Sequence, residues 1–312
     1  MKALLTGVAG FVGSHMAERL MAEGHAVVGV DALTDYYAPE LKRANLAAIE
    51  GEGLELVEGD LNRLDLDSLL EGVEVVFHLA GQPGVRGSWG ESFGIYLDQN
   101  VRATQRLLEA CREASMERFV YASSSSIYGD AERFPTKEED LPAPISPYGV
   151  TKLAGEHLSR LYYRAYGLPT VALRYFTIYG PRQRPDMAFN RFIAAALEGR
   201  PVTVFGDGGQ VRDFTYVGDI VTATIAAAAS GRPGTSYNVA GGAQTSIREV
   251  IETIGDLTGG PVAIDHRDPV PGDARRTGAD TSRARADLGY EPSVGLREGL
   301  ALQVAHAKGG AA

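Results

Sequence analysis

The chain has a single cysteine, Cys111, among its 312 residues. One thiol cannot close an internal disulfide, so the sequence is not a disulfide framework, and a reduced, cytoplasmic setting is expected. Cys111 falls in a helix-like stretch and is read as a packing residue. No apolar run approaches the ~18 continuous residues of a membrane span. Met1-Lys2 leads straight into Ala3 to Leu5 and then glycines, unlike a secretory leader. Basic blocks are missing, and the formal net charge is −10. That disfavours nucleic acid as a partner, yet a few local arginines can still hold a small anion. Internal repeats are absent, no metal is expected, and the only low-complexity piece is the tail Gly309-Gly-Ala-Ala312, which is expected to fray.

What is present has the texture of an α/β protein. Strand-like runs (Lys2 to Thr6, Ala26 to Asp31, Leu54 to Glu58, Val73 to Leu79, Phe119 to Ser123, Val171 to Tyr175) alternate with helix-like segments (Phe11 to Glu23, Pro39 to Glu50, Leu66 to Leu70, Ser92 to Ser115). Short apolar runs separated by longer periodic ones indicate βαβ units and a parallel sheet. The expected fold is a Rossmann-type doubly wound parallel sheet with a smaller C-terminal α/β domain. Residues 1–175 form the dinucleotide-binding part, and a segment of about 211–240 returns to it. Residues 176–210 and 241–307 form the substrate domain, and 308–312 a tail.

Gly7-x-x-Gly10-x-x-Gly13 lies between the first strand and the first helix. Glycines there permit a tight turn and close approach of a pyrophosphate, toward which the helix amides point. Asp31 ends the second strand, where it can bond ribose hydroxyls and repel a 2′-phosphate, so NAD is favoured over NADP. Asp60-Leu61, after the third strand, is placed to meet the adenine, with a solvated turn aspartate as the alternative. In His78-Leu79-Ala80-Gly81 the small residues allow a cofactor close to the backbone, and His78 itself reads as packing.

Tyr148-Gly-Val-Thr-Lys152 puts a phenol and an ammonium four residues apart, on one face of a helix. Ser146 suits its N-cap, Pro147 its first turn, and Gly167 with Pro169 its end. A positive charge beside a phenol favours the phenolate, so Lys152 is expected to lower the Tyr148 pKa toward neutrality and make it a base for an alcohol. The serine run Ser123 to Ser126 ends the fifth strand, at the ligand edge of such a sheet.

Together these motifs resemble the extended short-chain dehydrogenase/reductase family from Met1 to about Leu302. The likeness includes Asn100, Tyr128-Gly129, Arg174-Tyr-Phe176, Arg212-Asp-Phe-Thr-Tyr-Val217 and Tyr237-Asn-Val239. Within the family the chain is similar to nucleotide-sugar epimerases and dehydratases, which keep NAD bound. The resemblance implies Tyr148 as base, Lys152 as its tuning charge and ribose ligand, and Ser124 as donor to the sugar C4 oxygen. It adds Phe11, Val12, Leu79, Ala80, Gly81, Asn100 and Tyr175 to the cofactor set. Met187, Ala188, Phe205, Gln210 and Asp273 are implied for the nucleotide. Arg212 and Arg184 suit the diphosphate by charge-assisted bonds, with a solvated surface charge the alternative for each. Many sugar epimerases carry an arginine before the position of Gly272-Asp273. This chain has Pro269-Val-Pro271 there, which leaves Arg275 or Arg276 to substitute.

Family dehydratases carry an Asp-Glu pair immediately after the residue matching Ser124; here stand Ser125 and Ser126. A serine hydroxyl donates and accepts but does not act as an acid or base near neutral pH without a partner. Elimination is disfavoured and epimerisation favoured. Asp31-x-x-x-Asp-Tyr-Tyr37, Gln82-Pro-Gly-Val-Arg86 and Arg174 to Met187 resemble bacterial UDP-glucuronate 4-epimerases, although Tyr36 and Tyr37 are equally readable as surface aromatics. Ser125, Ser126 and Thr177 would supply hydroxyls to a C5 carboxylate, with Arg86 nearby. The expected partners are a UDP-sugar and a second copy of the chain, paired through the Ser92–Ser115 and Pro147–Tyr166 helices. A UDP-glucose 4-epimerase and a non-catalytic NAD-binding regulator are the alternatives. Glucose-type epimerases usually have asparagine at the position of Thr177, and the intact Ser124, Tyr148 and Lys152 set weighs against the regulator.

Overall fold

The computed structural model describes residues 1–49, 51–131, 133–268 and 274–309. The candidate Asp273 and the Pro269-Val-Pro271 departure lie outside the described residues, as do the last three of the tail.

The chain opens with β1 (Lys2–Thr6), α1 (Phe11–Ala22), β2 (Ala26–Asp31), α2 (Pro39–Ala47), β3 (Leu54–Glu58), α3 (Leu66–Leu69) and β4 (Val75–His78). Next come α4 (Phe93–Tyr96), α5 (Ala103–Glu113), β5 (Arg118–Ser124), α6 (Pro147–Tyr166) and β6 (Thr170–Tyr175). The second part holds β7 (Ile178–Tyr179), α7 (Ala188–Leu197), β8 (Val202–Phe205), β9 (Val211–Asp213), β10 (Thr215–Tyr216) and α8 (Val217–Ser230). It ends with β11 (Thr235–Val239), β12 (Gln244–Ser246), α9 (Ile247–Thr258), β13 (Ile264–Arg267), α10 (Ser282–Leu288) and α11 (Leu296–Ala307).

Seven parallel strands form the main sheet in the order β11-β6-β5-β4-β1-β2-β3. Alternation of side chains sends successive residues to opposite faces. Ala3, Leu5, Val75, Phe77 and Val120 join one core with α1, α8 and α10. Leu4, Val76, Phe119 and Tyr121 join the other with α5 and α6. Cys111 is fully buried in this second core, where burial pushes its thiol up to about 12, so it packs rather than reacts. A smaller set of strands pairs apart from the sheet: β7 with β10, β9 with β12 and β8 with β13. Phe189, Phe192, Val250, Ile254 and Leu300 form the core there. By contrast α8 packs on the main sheet, and β11 pairs with β6 from Thr235↔Val171 to Val239↔Tyr175.

α6 begins and ends on the expected signals. The Ser146 hydroxyl accepts from the Gly149 N–H at 3.1 Å, Pro147 follows, and Gly167 closes the helix at φ +74°. Such a cap contributes about 1 kcal/mol. The helix expected over Ser92–Ser115 is broken instead. After α4, Leu97–Arg102 winds as a π-helix before α5 begins. The wider turn carries Asn100 inward, where its amide accepts from the Gln82 N–H at 2.6 Å and donates to the Gln82 carbonyl and Thr151 Oγ1. A polar side chain buried with full pairing compensates the irregular backbone.

Candidate active site

The strand order reverses between β1 and β4, the switch point at which open α/β sheets hold ligands beyond the strands' carboxyl ends. A cavity of about 470 Å³ opens there, lined by Gly7, Gly10, Phe11, Val12, Gly13, Asp31, Leu79, Ala80, Gly81 and Tyr175. Gly7 takes φ +77°, and a Cβ on Gly13 would come within 2.0 Å of the Gly7 carbonyl oxygen. Gly10 caps α1 without a side chain, so the first amides of the helix remain available to an anion. This cradle fits a dinucleotide pyrophosphate.

Asp31 turns both carboxylate oxygens to the backbone, accepting from the Ala9 N–H at 3.1 Å and the Leu33 N–H at 2.9 Å. Burial still raises its pKa above the ordinary carboxyl value. Lys42 stands on the same cavity wall, donating to the Thr34 carbonyl at 2.8 Å. The wall does not include Asp60 or Leu61. Asp60 accepts from the Asn62 N–H at 2.8 Å and from the Gln99 amide, and Gln99 is the residue that lines the cavity. Leu61 is buried, its carbonyl holding Arg106. Gln99, for which the sequence holds no motif, stands between Asp60 and the cavity. Asn100, implied as a cofactor ligand, also stands behind the wall as the staple already described. His78 is buried between Thr6 Oγ1 at 2.8 Å and Thr104 Oγ1 at 2.9 Å, and burial lowers its pKa to about 3. It is the neutral packing residue expected.

Ser123, Ser124, Ser125, Ser126 and Tyr148 line the same cavity. Ser124 caps a 3₁₀ turn, its Oγ accepting from the Ser126 N–H at 3.1 Å, and its hydroxyl, beside the Tyr148 phenol, acts to lower that phenol's pKa. The electrostatics depart from expectation. Burial raises the Tyr148 pKa, and what opposes it is the Ser124 bond and the Arg184 charge. The Lys152 ammonium lies 4.6 Å from the centre of the Tyr121 ring, buried behind the wall. Burial lowers its pKa to about 7 against the pull of Glu156. Helical spacing places Tyr148 and Lys152 on one face, and the long lysine stem lays its ammonium against the Tyr121 ring of β5.

A second cavity of about 420 Å³ shares Gly84, Val85 and Thr177 with the first. Arg86, Ala188, Phe205, Gln210 and Arg212 line it, together with Tyr36. The Tyr36 phenol donates to Asp186 at 3.3 Å, so it bridges two loops and is no idle surface aromatic. Arg86 stacks 4.2 Å from the Phe205 ring centre, which places it here and not with Ser125 and Ser126. The Arg212 guanidinium donates to the Val211 and Ala274 carbonyls. Met187 faces the first cavity, and so does Arg184, whose fork holds Asp186 with two bonds of 2.9 Å. A third cavity of about 210 Å³ gathers the hydroxyl residues Ser125, Ser126, Ser146, Thr177 and Thr277 beside Arg212. Thr177 alone of the candidates lines all three spaces. Arg275 lines none of these cavities; its N–H donates to Asp130 at 3.2 Å. Arg276 is spent on Gln244 and the Phe134 ring.

A glycine cradle at the switch point, in a cavity that also holds Tyr148 and Ser124 and meets a second cavity at Gly84, Val85 and Thr177, defines a dinucleotide-dependent enzyme with room for a second ligand. The chain belongs to the NAD dependent epimerase/dehydratase family, whose pattern matches residues 3–240. It is 45% identical to a Bacillus subtilis protein described as an uncharacterized UDP-glucose epimerase, YtcB, over 98% of each chain. It is 40% identical to the UDP-glucuronate 4-epimerase of Thermodesulfobacterium geofontis, over 95% of this chain and 93% of that one. The crystal structure of UDP-glucuronic acid 4-epimerase from Bacillus cereus, in complex with UDP-glucuronic acid and NAD, superposes with a TM-score of 0.97 at 42% identity, covering 99% of both chains.

Proposed function

We propose that this enzyme inverts C4 of UDP-glucuronate to give UDP-galacturonate, with NAD as resident cofactor. The carrying observation is the Tyr148–Ser124 pair in the first cavity, flanked by hydroxyls and by no carboxylate at positions 125 and 126. Gly7, Gly10 and Gly13 would hold NAD, which would supply the hydride acceptor for C4 and the donor for its return. Tyr148 takes the proton from the C4 hydroxyl and returns it to the reduced product. Ser124 holds the C4 oxygen, and Lys152 provides a buried positive charge behind the phenol. Arg212, with Phe205 and Gln210, holds the nucleotide diphosphate while the sugar turns in the first cavity. With serine at 125 and 126, nothing beside Ser124 removes a proton from C5, so the ketone is turned and reduced instead of dehydrated.

The 4-keto uronate is a β-keto acid and loses carbon dioxide when its carboxylate is desolvated and perpendicular to the ring. Ser125, Ser126 and Thr177 line one hydroxyl-rich space that can hold and solvate that carboxylate. The name of the Bacillus subtilis relative favours a second reading, UDP-glucose 4-epimerase. The hydroxyls around Thr177 weigh against it, because a C5 hydroxymethyl group needs no such set of donors.

The same proposal includes the division into a dinucleotide part that takes back 211–240 and a separate substrate part. It also includes a cytoplasmic homodimer. The helices expected to pair expose Ile95, Leu97, Val150 and Leu161, apolar area that a second copy would cover. The test of the chemistry is absorbance: purified protein mixed with UDP-glucuronate develops the near-ultraviolet band of reduced nicotinamide. A pure binding module gives none.

A further inference from the structure

Glu156 lies one helical turn beyond Lys152 on α6 and is buried among four elements. Its carboxylate accepts from Arg174 of β6, at 2.6 Å from Nη2 and 3.1 Å from Nε. It also accepts from the Ser123 hydroxyl of β5 at 2.7 Å and the Ser236 hydroxyl of β11 at 2.8 Å. Arg174 completes its bonding with the Tyr128 hydroxyl at 2.6 Å and the Glu138 carbonyl at 3.0 Å. A carboxylate so paired stays ionised: burial pushes its pKa up, but the Arg174, Ser123 and Ser236 bonds hold it below the ordinary value.

Ser123 precedes Ser124, and α6 carries Tyr148 and Lys152. The Ser123–Glu156 bond therefore ties the strand end that presents one reacting group to the helix that presents the other. The groups facing Lys152 are the Tyr121 ring of β5, His78 of β4 and Glu156 of its own helix, which is itself paired with Arg174. His78 is neutral and burial keeps the Tyr121 phenol protonated, so Glu156 is the fixed negative charge in this set.

We propose that Glu156 is a positioning residue of the active site: it clamps the end of β5 to α6 and supplies the buried negative charge that keeps the Lys152 side chain an ammonium. The proposal rests on the C4 chemistry given above for its effect on turnover, whereas its effect on Lys152 needs no substrate. The Glu156 carboxylate touches no reacting atom in this account. It acts through Ser123 and Lys152.

The experiment follows the Lys152 titration by NMR in protein labelled at lysine Cε, with the signal assigned by a Lys152→Met variant, beside the pH profile of kcat. Glu156→Gln should lower the Lys152 midpoint by about one pH unit and move the alkaline limb of kcat down with it, about fivefold in rate at the original midpoint. Glu156→Asp should recover part of both shifts. Glu156→Gln leaves Arg174 unpaired, so the double variant Glu156→Gln/Arg174→Met, which removes both charges, is measured alongside and should show a smaller downward Lys152 shift, because the positive charge goes with the negative one. Ser123→Ala keeps the charge and breaks the clamp; kcat should fall several-fold with KM and the Lys152 midpoint unchanged. An unshifted Lys152 midpoint in both Gln variants overturns the charge relation, and an unchanged kcat in Ser123→Ala overturns the clamp. A shifted midpoint in a protein that never inverts C4 would sink the function and leave the charge relation standing.

Discussion

The ammonium of Lys152 stands 4.6 Å from the centre of the Tyr121 ring, inside the wall between the sheet and α6. The ring face offers a partial negative charge, but it does not replace lost water, and burial brings the amine down to about 7 from 10.5. The folded-state value lies below the unfolded one. The unfolded chain thus binds more protons between those two pH values, and stability rises with pH across that window. Lys152→Met should raise Tm by several degrees at pH 6, where the buried charge is fully present, and the gain should shrink toward pH 9. Thermal melts of the two proteins at both pH values check this. A gain that grows with pH would contradict it.

Tyr148→Phe removes the proton acceptor and keeps the ring that packs edge-on against Tyr96. The kcat for C4 inversion should fall roughly 10²- to 10⁴-fold, the usual worth of a general base. KM should change little and the protein should retain NAD, measured by the cofactor released on denaturation.

Thr177→Val and Ser126→Ala each delete a hydroxyl from the space next to Ser124 while nearly preserving volume. The ratio of decarboxylated pentose product to epimer should rise in both. Chromatography of the sugar nucleotides gives the ratio, and an unchanged value would show that these hydroxyls do not protect the carboxylate.

Asp31→Ser should relax discrimination against NADP. Its charge is removed, and Lys42 on the same wall is then free to meet a 2′-phosphate. The preference for NAD should drop by roughly tenfold, about 1.4 kcal/mol. Reconstitution of cofactor-stripped protein with each dinucleotide measures it.

Much of this was legible from local signals. The Ser146 cap, the Gly167 stop and the Gly7–Gly13 turn each rest on short-range chemistry, which the chain displays openly. Side-chain direction was not legible. Helical spacing put Lys152 and Tyr148 on one face, but the contact of the flexible stem with the Tyr121 ring left no mark in the sequence. The π turn at Leu97–Arg102 exists because Asn100 finds Gln82 and Thr151, partners far away in sequence. Gln99 reaches the cavity by the same irregularity, and Arg86 was separated from the serines by its stacking on Phe205. Such pairings belong to the tertiary structure and leave no periodic trace.

Proton NMR of the products formed from UDP-glucuronate and, separately, from UDP-glucose, with no NAD added, tests the central claim most directly. The account predicts galacto-configured uronate from the first substrate, negligible inversion of the second, and turnover sustained by the cofactor the protein already carries. Inversion of UDP-glucose at a comparable kcat/KM, or a product lacking the C6 carboxylate as its main component, would contradict it.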